Sequence, residues 1–176
     1  MKHQTLFLDR DGVINRQIKN GYVTRISEFE FLPGVLDALA RLASQFKHIF
    51  IVTNQQGIGK GIFSLDDLES IHKQIILQIE QSGGRIDRIY VAPELESKNS
   101  INRKPSSGMA LQAQREYPEV NFKSSVMIGD SFSDMQFGKV LGMKTVYLTN
   151  GKPVEQEIAA IADEIRVDLA EYSVSD

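Results

Sequence analysis

The chain has 176 residues, of which 41% are hydrophobic and 24% are charged, and its formal net charge is −3 at pH 7. This length and composition predict one globular domain over residues 1–176 and exclude disordered, collagen-like and coiled-coil chains. The slightly acidic charge excludes the basic surface of a nucleic-acid-binding protein, and the absence of cysteine excludes disulfides, thiolate nucleophiles and cysteine-based zinc sites.

The hydropathy of the chain bears on its location. The first five residues lead into only a short apolar run, which is too brief for the apolar core of a signal peptide. No other run approaches the roughly 20 apolar residues that a membrane-spanning helix requires. We therefore expect a soluble, cytoplasmic monomer that binds a small molecule and has neither a membrane nor a nucleic-acid partner.

Short apolar runs alternate with helix-length segments along the chain. Near-continuous apolar runs bounded by polar residues are typical of strands that are buried on both faces of a parallel sheet. Strands are predicted at residues 5–9, 48–53, 88–92, 125–129 and 144–148, with a short edge strand at residues 164–167.

Amphipathic spacing predicts two helices, and capping and turn residues mark two more. Apolar residues repeat every three or four positions over residues 36–46 and again over residues 65–79. Ser64 and Asp67 form the capping-box pattern at the start of the second helix. The other signals are Gly83-Gly84 at its end, Ser133 or a neighbour as the cap of a helix that ends before Gly142, and Pro153 in the first turn of a last helix.

The alternation of strands and helices predicts an α/β fold, a doubly wound and mostly parallel sheet with right-handed crossovers. Residues 15–32 and 93–107 are irregular and long for loops of a compact domain, so both are candidate binding segments. His72 lies beside the apolar stripe of the second helix, and we interpret it as a flanking surface or packing residue.

Ligands of open α/β sheets bind beyond the carboxyl ends of the strands. At those ends the sequence places acids, a hydroxyl and cations. They are Asp9 and Asp11 after the first strand, Thr53 and Asn54 after the second, Arg103 and Lys104 in the loop after the third, and Asp130 and Asp134 after the fourth.

Asp9 and Asp11 are two residues apart on an extended chain, so both side chains are predicted to face one side while Arg10 points away. Two carboxylates that lie so close are unfavourable unless a cation lies between them or one of them carries a proton. Mg²⁺ prefers oxygen ligands and also bridges phosphate oxygens, and Asp130 supplies a further carboxylate from a neighbouring strand.

These groups together predict magnesium-dependent hydrolysis of a phosphate monoester. A carboxylate can attack phosphorus and form an aspartyl-phosphate, and Asp9 is the predicted nucleophile. Thr53, Arg103 and Lys104 can stabilise the charge on the transferring phosphoryl group. Each motif alone is more often a loop, a helix cap, a turn or a surface cation, and only the ordered set on successive strand ends indicates catalysis.

The ordered set resembles the haloacid dehalogenase superfamily of phosphatases. The run Asp9-Arg10-Asp11-Gly12-Val13-Ile14-Asn15 is similar to the first motif of the superfamily, Thr53 to the second, Lys104 to the third, and Gly129-Asp130-x-x-x-Asp134 to the fourth. The resemblance implies that Asp9 is the nucleophile and that Asp11 is the acid that protonates the leaving group and then the base for water. It also implies that Mg²⁺ is held by Asp9, the backbone carbonyl of Asp11 and Asp130, and that Asp134 orients the site.

Within the superfamily the chain resembles the group that contains heptose 1,7-bisphosphate and histidinol-phosphate phosphatases, which lack the cap domain of larger relatives. The similar segments include residues 20–23, 29–31, 53–61, 103–109 and 151–153. The resemblance implies a small phosphorylated sugar as substrate, heptose bisphosphate before histidinol phosphate. The substrate-binding positions that it implies are Lys19, Asn20, Gly21, Tyr22, Asn54, Gln55 and Gln56, together with Arg103 and Lys104.

Typical members of this group carry a zinc loop of three cysteines and a histidine just before the Arg-Lys-Pro motif. The matching residues here, 93–102, contain none of these ligands, so we expect Mg²⁺ and no zinc. Such a loop must be held by hydrogen bonds and packing alone. Its acids, Glu94 and Glu96, would repel a second phosphate if they faced the pocket.

Two other function classes are compatible with a doubly wound domain that carries paired acids. A signalling receiver requires an aspartate at the end of a middle strand and a lysine on the last strand, but this chain has Thr53-Asn54 at the first place and its lysine precedes the last acidic pair. A catalytically inactive binding module is disfavoured because every expected chemical group is present.

Overall fold

The computed structural model describes residues 5–174 of the chain. Six parallel strands form one sheet in the order β3-β2-β1-β4-β5-β6. The strands are β1 (Thr5–Leu8), β2 (His48–Asn54), β3 (Arg88–Ala92), β4 (Ser125–Gly129), β5 (Lys144–Leu148) and β6 (Glu164–Arg166). The direction of winding reverses between β1 and β4, which is the place where doubly wound sheets bind their ligands.

The central strands are buried on both faces, as their apolar runs predict. Alternate residues of β1 and β2 enter two separate hydrophobic clusters: Leu6 and Ile49 lie in one, and Phe7 and Phe50 lie in the other. The rings of Phe7 and Phe50 pack with their centroids 5.5 Å apart. The sheet therefore has a core on each side, and only its strand ends are free to carry polar groups.

In the described part of the chain, six α-helices connect and cover the strands. They are α1 (Val35–Ala43), α2 (Gln56–Gly59), α3 (Leu65–Gln81), α4 (Gly108–Glu116), α5 (Phe132–Leu141) and α6 (Gln156–Ile161). The predicted capping box of Ser64 and Asp67 begins α3. The cap of α5 is Ser131, again with a capping box, so the neighbour and not Ser133 fills this position.

Several predicted boundaries differ from the structure. The prediction that Pro153 lies in the first turn of a helix is wrong, because α6 begins at Gln156 after the N-cap Glu155. A turn at Asn150 and Gly151, both with positive φ, is followed at residues 153–155 by a stretch without regular structure, after which the helix begins. Strand β1 ends at Leu8 because the backbone amides of residues 13–15 bond back to the Arg10 carbonyl and turn the chain.

The two candidate binding segments are irregular, as expected. The first contains a 3₁₀ helix at Ile26–Glu28, and the second contains one at Glu96–Lys98. Isolated bridges join Asn15 to Asp11 and to Phe31, and they tie both ends of the first segment to the end of β1. Within the described residues no segment of cap-domain size is inserted, and no helix has both the length and the apolar character of a membrane span.

Candidate active site

A cavity of about 560 Å³ opens at the carboxyl ends of the strands, on the switch point between β1 and β4. Its volume lies in the range of small-molecule sites. The lining residues are Asp9, Asp11, Gln17, Ile18, Asn20, Gly21, Tyr22, Asn54, Gln56, Lys60, Ile62, Arg103, Lys104, Asp130, Ser131, Ser133 and Asp134.

Lys104 joins the predicted nucleophile to the capping acid of α5. Its Nζ donates to Asp9 Oδ1 at 2.7 Å and to Asp134 Oδ1 at 2.6 Å, and its side chain is only 2% exposed. Burial alone would lower the pKa of Lys104, but Asp134 and Asp9 raise it above its ordinary value. The ammonium is therefore a fixed positive charge beside Asp9.

Asp130 reaches the same point from the end of β4. A Cβ atom built on Gly12 would lie 1.9 Å from Asp130 Oδ2, and the φ of Gly12 is +88°. Only glycine leaves this space and adopts this backbone conformation without strain. The glycine that follows the acid pair thus lets the turn after β1 approach the acid of β4.

The acids fit a hard divalent cation. One carboxylate oxygen from each of Asp9, Asp130 and Asp134 lies within 4.8 Å of the others. Burial raises the pKa values of Asp9 and Asp130, and repulsion from the neighbouring carboxylates raises them further. A cation removes this penalty, and oxygen-only donors suit Mg²⁺.

Asp11 lines the cavity, but its carboxylate accepts hydrogen bonds from donors other than Lys104, the donor that bonds to Asp9. Oδ1 accepts from Arg10 Nη2 at 2.9 Å and Asn15 Nδ2 at 3.0 Å, and Oδ2 accepts from Gln55 Nε2 at 2.8 Å. Burial opposes ionisation, yet Arg10 and these hydrogen bonds lower the pKa of Asp11 below its ordinary value. The prediction that Arg10 points away from both acids is therefore wrong, because its guanidinium folds back onto Asp11.

The predicted motif around Thr53 is built mainly from internal contacts. Thr53 is 1% exposed, and its hydroxyl accepts from Gln55 Nε2 at 2.9 Å. Asn54 lines the cavity and also forms two bonds with the Lys104 backbone, Nδ2 to the carbonyl at 3.1 Å and Oδ1 from the amide at 3.0 Å. Gln56 lines the cavity, whereas Gln55 is 1% exposed and stands behind Asp11, outside the lining.

The first predicted substrate loop forms one wall. Asn20, Gly21 and Tyr22 line the cavity, and the exposed Lys19 does not. The Tyr22 hydroxyl accepts from Lys60 Nζ at 3.0 Å, which joins this wall to the end of α2.

The loop at residues 93–102 contributes no residue to the cavity lining but contacts residues that do: the Glu96 amide donates to Gln56 Oε1 at 3.4 Å. The Pro93 carbonyl accepts from the Gly59 amide at 3.1 Å, and Asn102 Nδ2 donates to Glu94 Oε1 at 3.3 Å. Neither Glu94 nor Glu96 lines the cavity; Glu96 instead lies 3.9 Å from Arg103 Nη2. The condition under which these acids would repel a second phosphate, that they face the pocket, is therefore not met.

Several residues of the site were not identified from the sequence. Ser131 could have been identified, because Ser131-x-x-Asp134 is a capping-box pattern. As the N-cap of α5, Ser131 also lines the cavity. Asn150 had none: its Nδ2 donates to the Gly12 carbonyl at 2.8 Å across 138 positions of sequence.

The chain is similar to known proteins in both sequence and structure. Residues 101–172 match the HAD-hydrolase-like family. A D-glycero-α-D-manno-heptose-1,7-bisphosphate 7-phosphatase of Campylobacter jejuni is 37% identical over 155 residues, which cover 88% of this chain and 87% of that protein. A D-glycero-β-D-manno-heptose-1,7-bisphosphate 7-phosphatase of Photorhabdus laumondii is 37% identical over 174 residues, covering 94% and 91%.

The solved structure of D,D-heptose 1,7-bisphosphate phosphatase from B. bronchiseptica, complexed with magnesium and phosphate, superposes with a TM-score of 0.84. It is 30% identical and covers 95% of this chain, and 94% of its own chain is matched. The shared fold, the extent of the matches and the acids at the switch point lead to one conclusion. The chain is a phosphatase and belongs to the haloacid dehalogenase superfamily, in the family of the heptose bisphosphate phosphatases.

Proposed function

We propose that the chain, acting as one domain over residues 1–176, hydrolyses the 7-phosphate of D-glycero-D-manno-heptose 1,7-bisphosphate with Mg²⁺ and an aspartyl-phosphate on Asp9. The contact that carries the proposal is the pairing of Asp9 with Lys104 at 2.7 Å inside a cavity that Asp11 and Asp130 also line. A nucleophile, a fixed cation, an acid–base group and a further metal ligand therefore meet at one opening.

In the first half-reaction an Asp9 carboxylate oxygen attacks phosphorus, and the bond from phosphorus to the sugar oxygen breaks. Asp11 gives its proton to that oxygen, so that an alcohol leaves and not an alkoxide. Lys104 stabilises the charge on the phosphoryl group. Asp9, the Asp11 carbonyl and Asp130 would hold Mg²⁺, which would supply further positive charge for the phosphate oxygens.

In the second half-reaction Asp11 acts as a base and removes a proton from the water that attacks the aspartyl-phosphate. The free protein holds Asp11 in the ionised form that this step needs, because Arg10 and the amide donors lower its pKa. For the first step Asp11 must carry a proton, and an incoming phosphate favours the neutral carboxyl because like charges repel.

The metal proposal predicts that Mg²⁺ stabilises the protein. A ligand at 100 times its Kd adds about 2.7 kcal/mol to the free energy of unfolding. For a chain of this size that corresponds to a rise in Tm of roughly 5–10 °C. Thermal unfolding with and without Mg²⁺ measures the effect, and turnover should require the same ion.

The control for this measurement is Asp130→Asn, which removes one carboxylate ligand and should reduce the shift in Tm. Metal analysis of the purified protein is the second arm. Stoichiometric zinc that is needed for stability or turnover would contradict the proposal, since all the proposed donors are oxygens.

The substrate proposal is supported by cations that have no strong acidic partner. Arg103 lines the cavity, its Nη1 is buried without a hydrogen-bond partner, and its Nη2 is 3.9 Å from Glu96. Lys60 also lines the cavity, and among the described residues its Nζ donates a hydrogen bond only to the Tyr22 hydroxyl. These two cations can hold a second phosphate, as a bisphosphate requires.

We expect kcat/KM for heptose 1,7-bisphosphate to exceed the values for hexose bisphosphates, sugar monophosphates and histidinol phosphate. Both anomers belong in the test, because the relatives from C. jejuni and P. laumondii carry the α and the β name at equal identity. Selectivity should be looser than in zinc-bearing relatives, because the loop at residues 93–102, which contacts the cavity-lining Arg103 and Gln56, is held by hydrogen bonds of 3.3 and 3.4 Å. A clear preference for histidinol phosphate would overturn the proposed substrate but would leave the proposed mechanism unaffected.

The substitution Arg103→Glu tests whether Arg103 binds the second phosphate of the substrate. Loss of a charge-assisted hydrogen bond costs about 1.5–3 kcal/mol, so kcat/KM for the bisphosphate should fall roughly 10- to 100-fold. A monophosphate should be affected less. The matched control is Lys98→Glu, an equal charge reversal on an exposed residue of the same loop that does not line the cavity. Unchanged KM and kcat in Arg103→Glu would count against this assignment.

A further inference from the structure

A buried charge stands directly behind the acid–base residue. Arg10 is 0% exposed, and its side chain bonds to two groups among the described residues. Nη2 donates to Asp11 Oδ1 at 2.9 Å, and Nη1 lies 3.1 Å from His72 Nε2. The third nitrogen, Nε, is buried without a partner.

The bond between Arg10 and His72 has a defined direction. A guanidinium has only donors, so His72 Nε2 must accept, which requires a neutral ring with its proton on Nδ1. Burial, followed by the Arg10 charge, lowers the pKa of His72 to about 3, in agreement with a neutral ring. The ring lies on a long helix, α3, and is 7% exposed, with Ile71 and Ile75 of the same helix also buried.

This contact determines the orientation of the guanidinium. Asp11 has further donors in Asn15 and Gln55, whereas His72 is the only side chain besides Asp11 that bonds to the Arg10 side chain in the described part of the protein. Without His72, the guanidinium can rotate about the bonds of its side chain. The nitrogen that donates to Asp11 then changes position, and the Asp11 carboxylate is less well oriented. A misplacement of about 1 Å in a reacting group can reduce the rate about 100-fold.

We propose that His72 is a positioning residue for proton transfer: its ring nitrogen fixes Arg10, and Arg10 fixes the carboxylate of Asp11. The proposal rests on the acid–base role of Asp11 proposed above. It assigns a function to a helix residue whose sequence pattern predicts only a surface or packing position.

The test compares His72→Leu with His72→Gln. Leucine fills a similar volume and has no acceptor, whereas the glutamine amide oxygen can accept from Arg10. With alkyl phosphates, which need protonation of the leaving group, the single-turnover rate of phosphoryl transfer to Asp9 should fall about 10- to 100-fold in His72→Leu. With nitrophenyl phosphate the loss should be smaller, and His72→Gln should restore most of the rate. If the leucine variant does not fold, His72→Asn replaces it, because its shorter amide does not reach Arg10.

Two controls separate positioning from packing. Ile75→Val removes a methyl group from a fully buried residue on the same helix and should lower Tm without changing the dependence on the leaving group. In the Asp11→Asn background, His72→Leu should cause little further loss of kcat, because both changes act on one step.

The outcomes also distinguish this inference from the proposed function. A wild-type protein that cleaves no phosphate monoester would refute the proposed function, and an Asp11→Asn protein with equal losses for all leaving groups and no burst would refute the role of Asp11. If those two proteins behave as proposed, a His72→Leu loss that is equal for all leaving groups, or that multiplies with Asp11→Asn, would overturn the positioning role. Hydrolysis of alkyl phosphates at the normal rate by His72→Leu would also overturn the positioning role.

Discussion

Replacing Asp9 with asparagine is expected to reduce turnover by several orders of magnitude and to abolish the acid-labile phosphoenzyme. An amide oxygen is a far weaker nucleophile than a carboxylate, and loss of the covalent route leaves only direct attack by water. The fold should survive, because burial and neighbouring acids already raise the pKa of Asp9, and a neutral amide resembles its protonated form. The amide oxygen can still accept from Lys104, which keeps Asp134 as its second partner.

The measurement is single-turnover and steady-state hydrolysis of nitrophenyl phosphate, with acid quenching to trap the phosphoenzyme. Asp37→Asn is the matched control, since it makes the same chemical change on an exposed residue of α1 and should leave the rate unchanged. A correctly folded Asp9→Asn protein with near-wild-type turnover would falsify the assignment of the nucleophile.

The central strands were predictable because they are buried on both faces and therefore appear in the sequence as nearly uninterrupted apolar runs. The acids were predictable for a related reason. A polar residue at the end of such a run must lie at the edge of the sheet, and parallel strands bring those edges together. Asp9 and Asp130 come from runs that are more than 100 positions apart, and the structure joins them beside Gly12.

The helices were less predictable where their packing does not need a broad apolar stripe. Helix α4 buries only Met109, Ala110 and Ala113, and its remaining residues are mostly polar, so its periodicity is weak. Helix α2 has four residues, which is too short for any periodic pattern. In both cases tertiary contacts decide the structure and local sequence carries little signal.

The direction of each polar side chain was the least predictable feature of the site. Gln55 and Gln56 are adjacent, and the family resemblance implies that both bind substrate. In the structure, however, the Gln55 side chain bonds to Asp11 and Thr53, while Gln56 lines the cavity. Arg10 turns back to Asp11 because His72, 62 positions later, supplies an acceptor on its other side. Such choices depend on partners that are distant in sequence.

Asp11→Asn is expected to have the second largest effect, and one that depends on the substrate. General acid–base catalysis contributes about 10²–10⁴-fold, so kcat for alkyl phosphates should fall by an amount in that range. The amide cannot give a proton to the departing sugar oxygen, which is strongly basic. A nitrophenolate needs little protonation, and its release should be slowed much less.

Asp11→Asn should also slow the second half-reaction, the hydrolysis of the aspartyl-phosphate. Without a base for water, the aspartyl-phosphate on Asp9 should be hydrolysed slowly, so nitrophenyl phosphate should give a burst of product followed by slow turnover. Asp11→Glu is a useful comparison, since it keeps a carboxyl but places it beyond the three donors, Arg10, Asn15 and Gln55, that hold the shorter side chain. The measurement is kcat across a series of esters with increasingly basic leaving groups, together with the burst amplitude. Equal losses across the series, without a burst, would remove Asp11 from the acid–base role and leave Asp9 and Lys104 as the proposed centre of the chemistry.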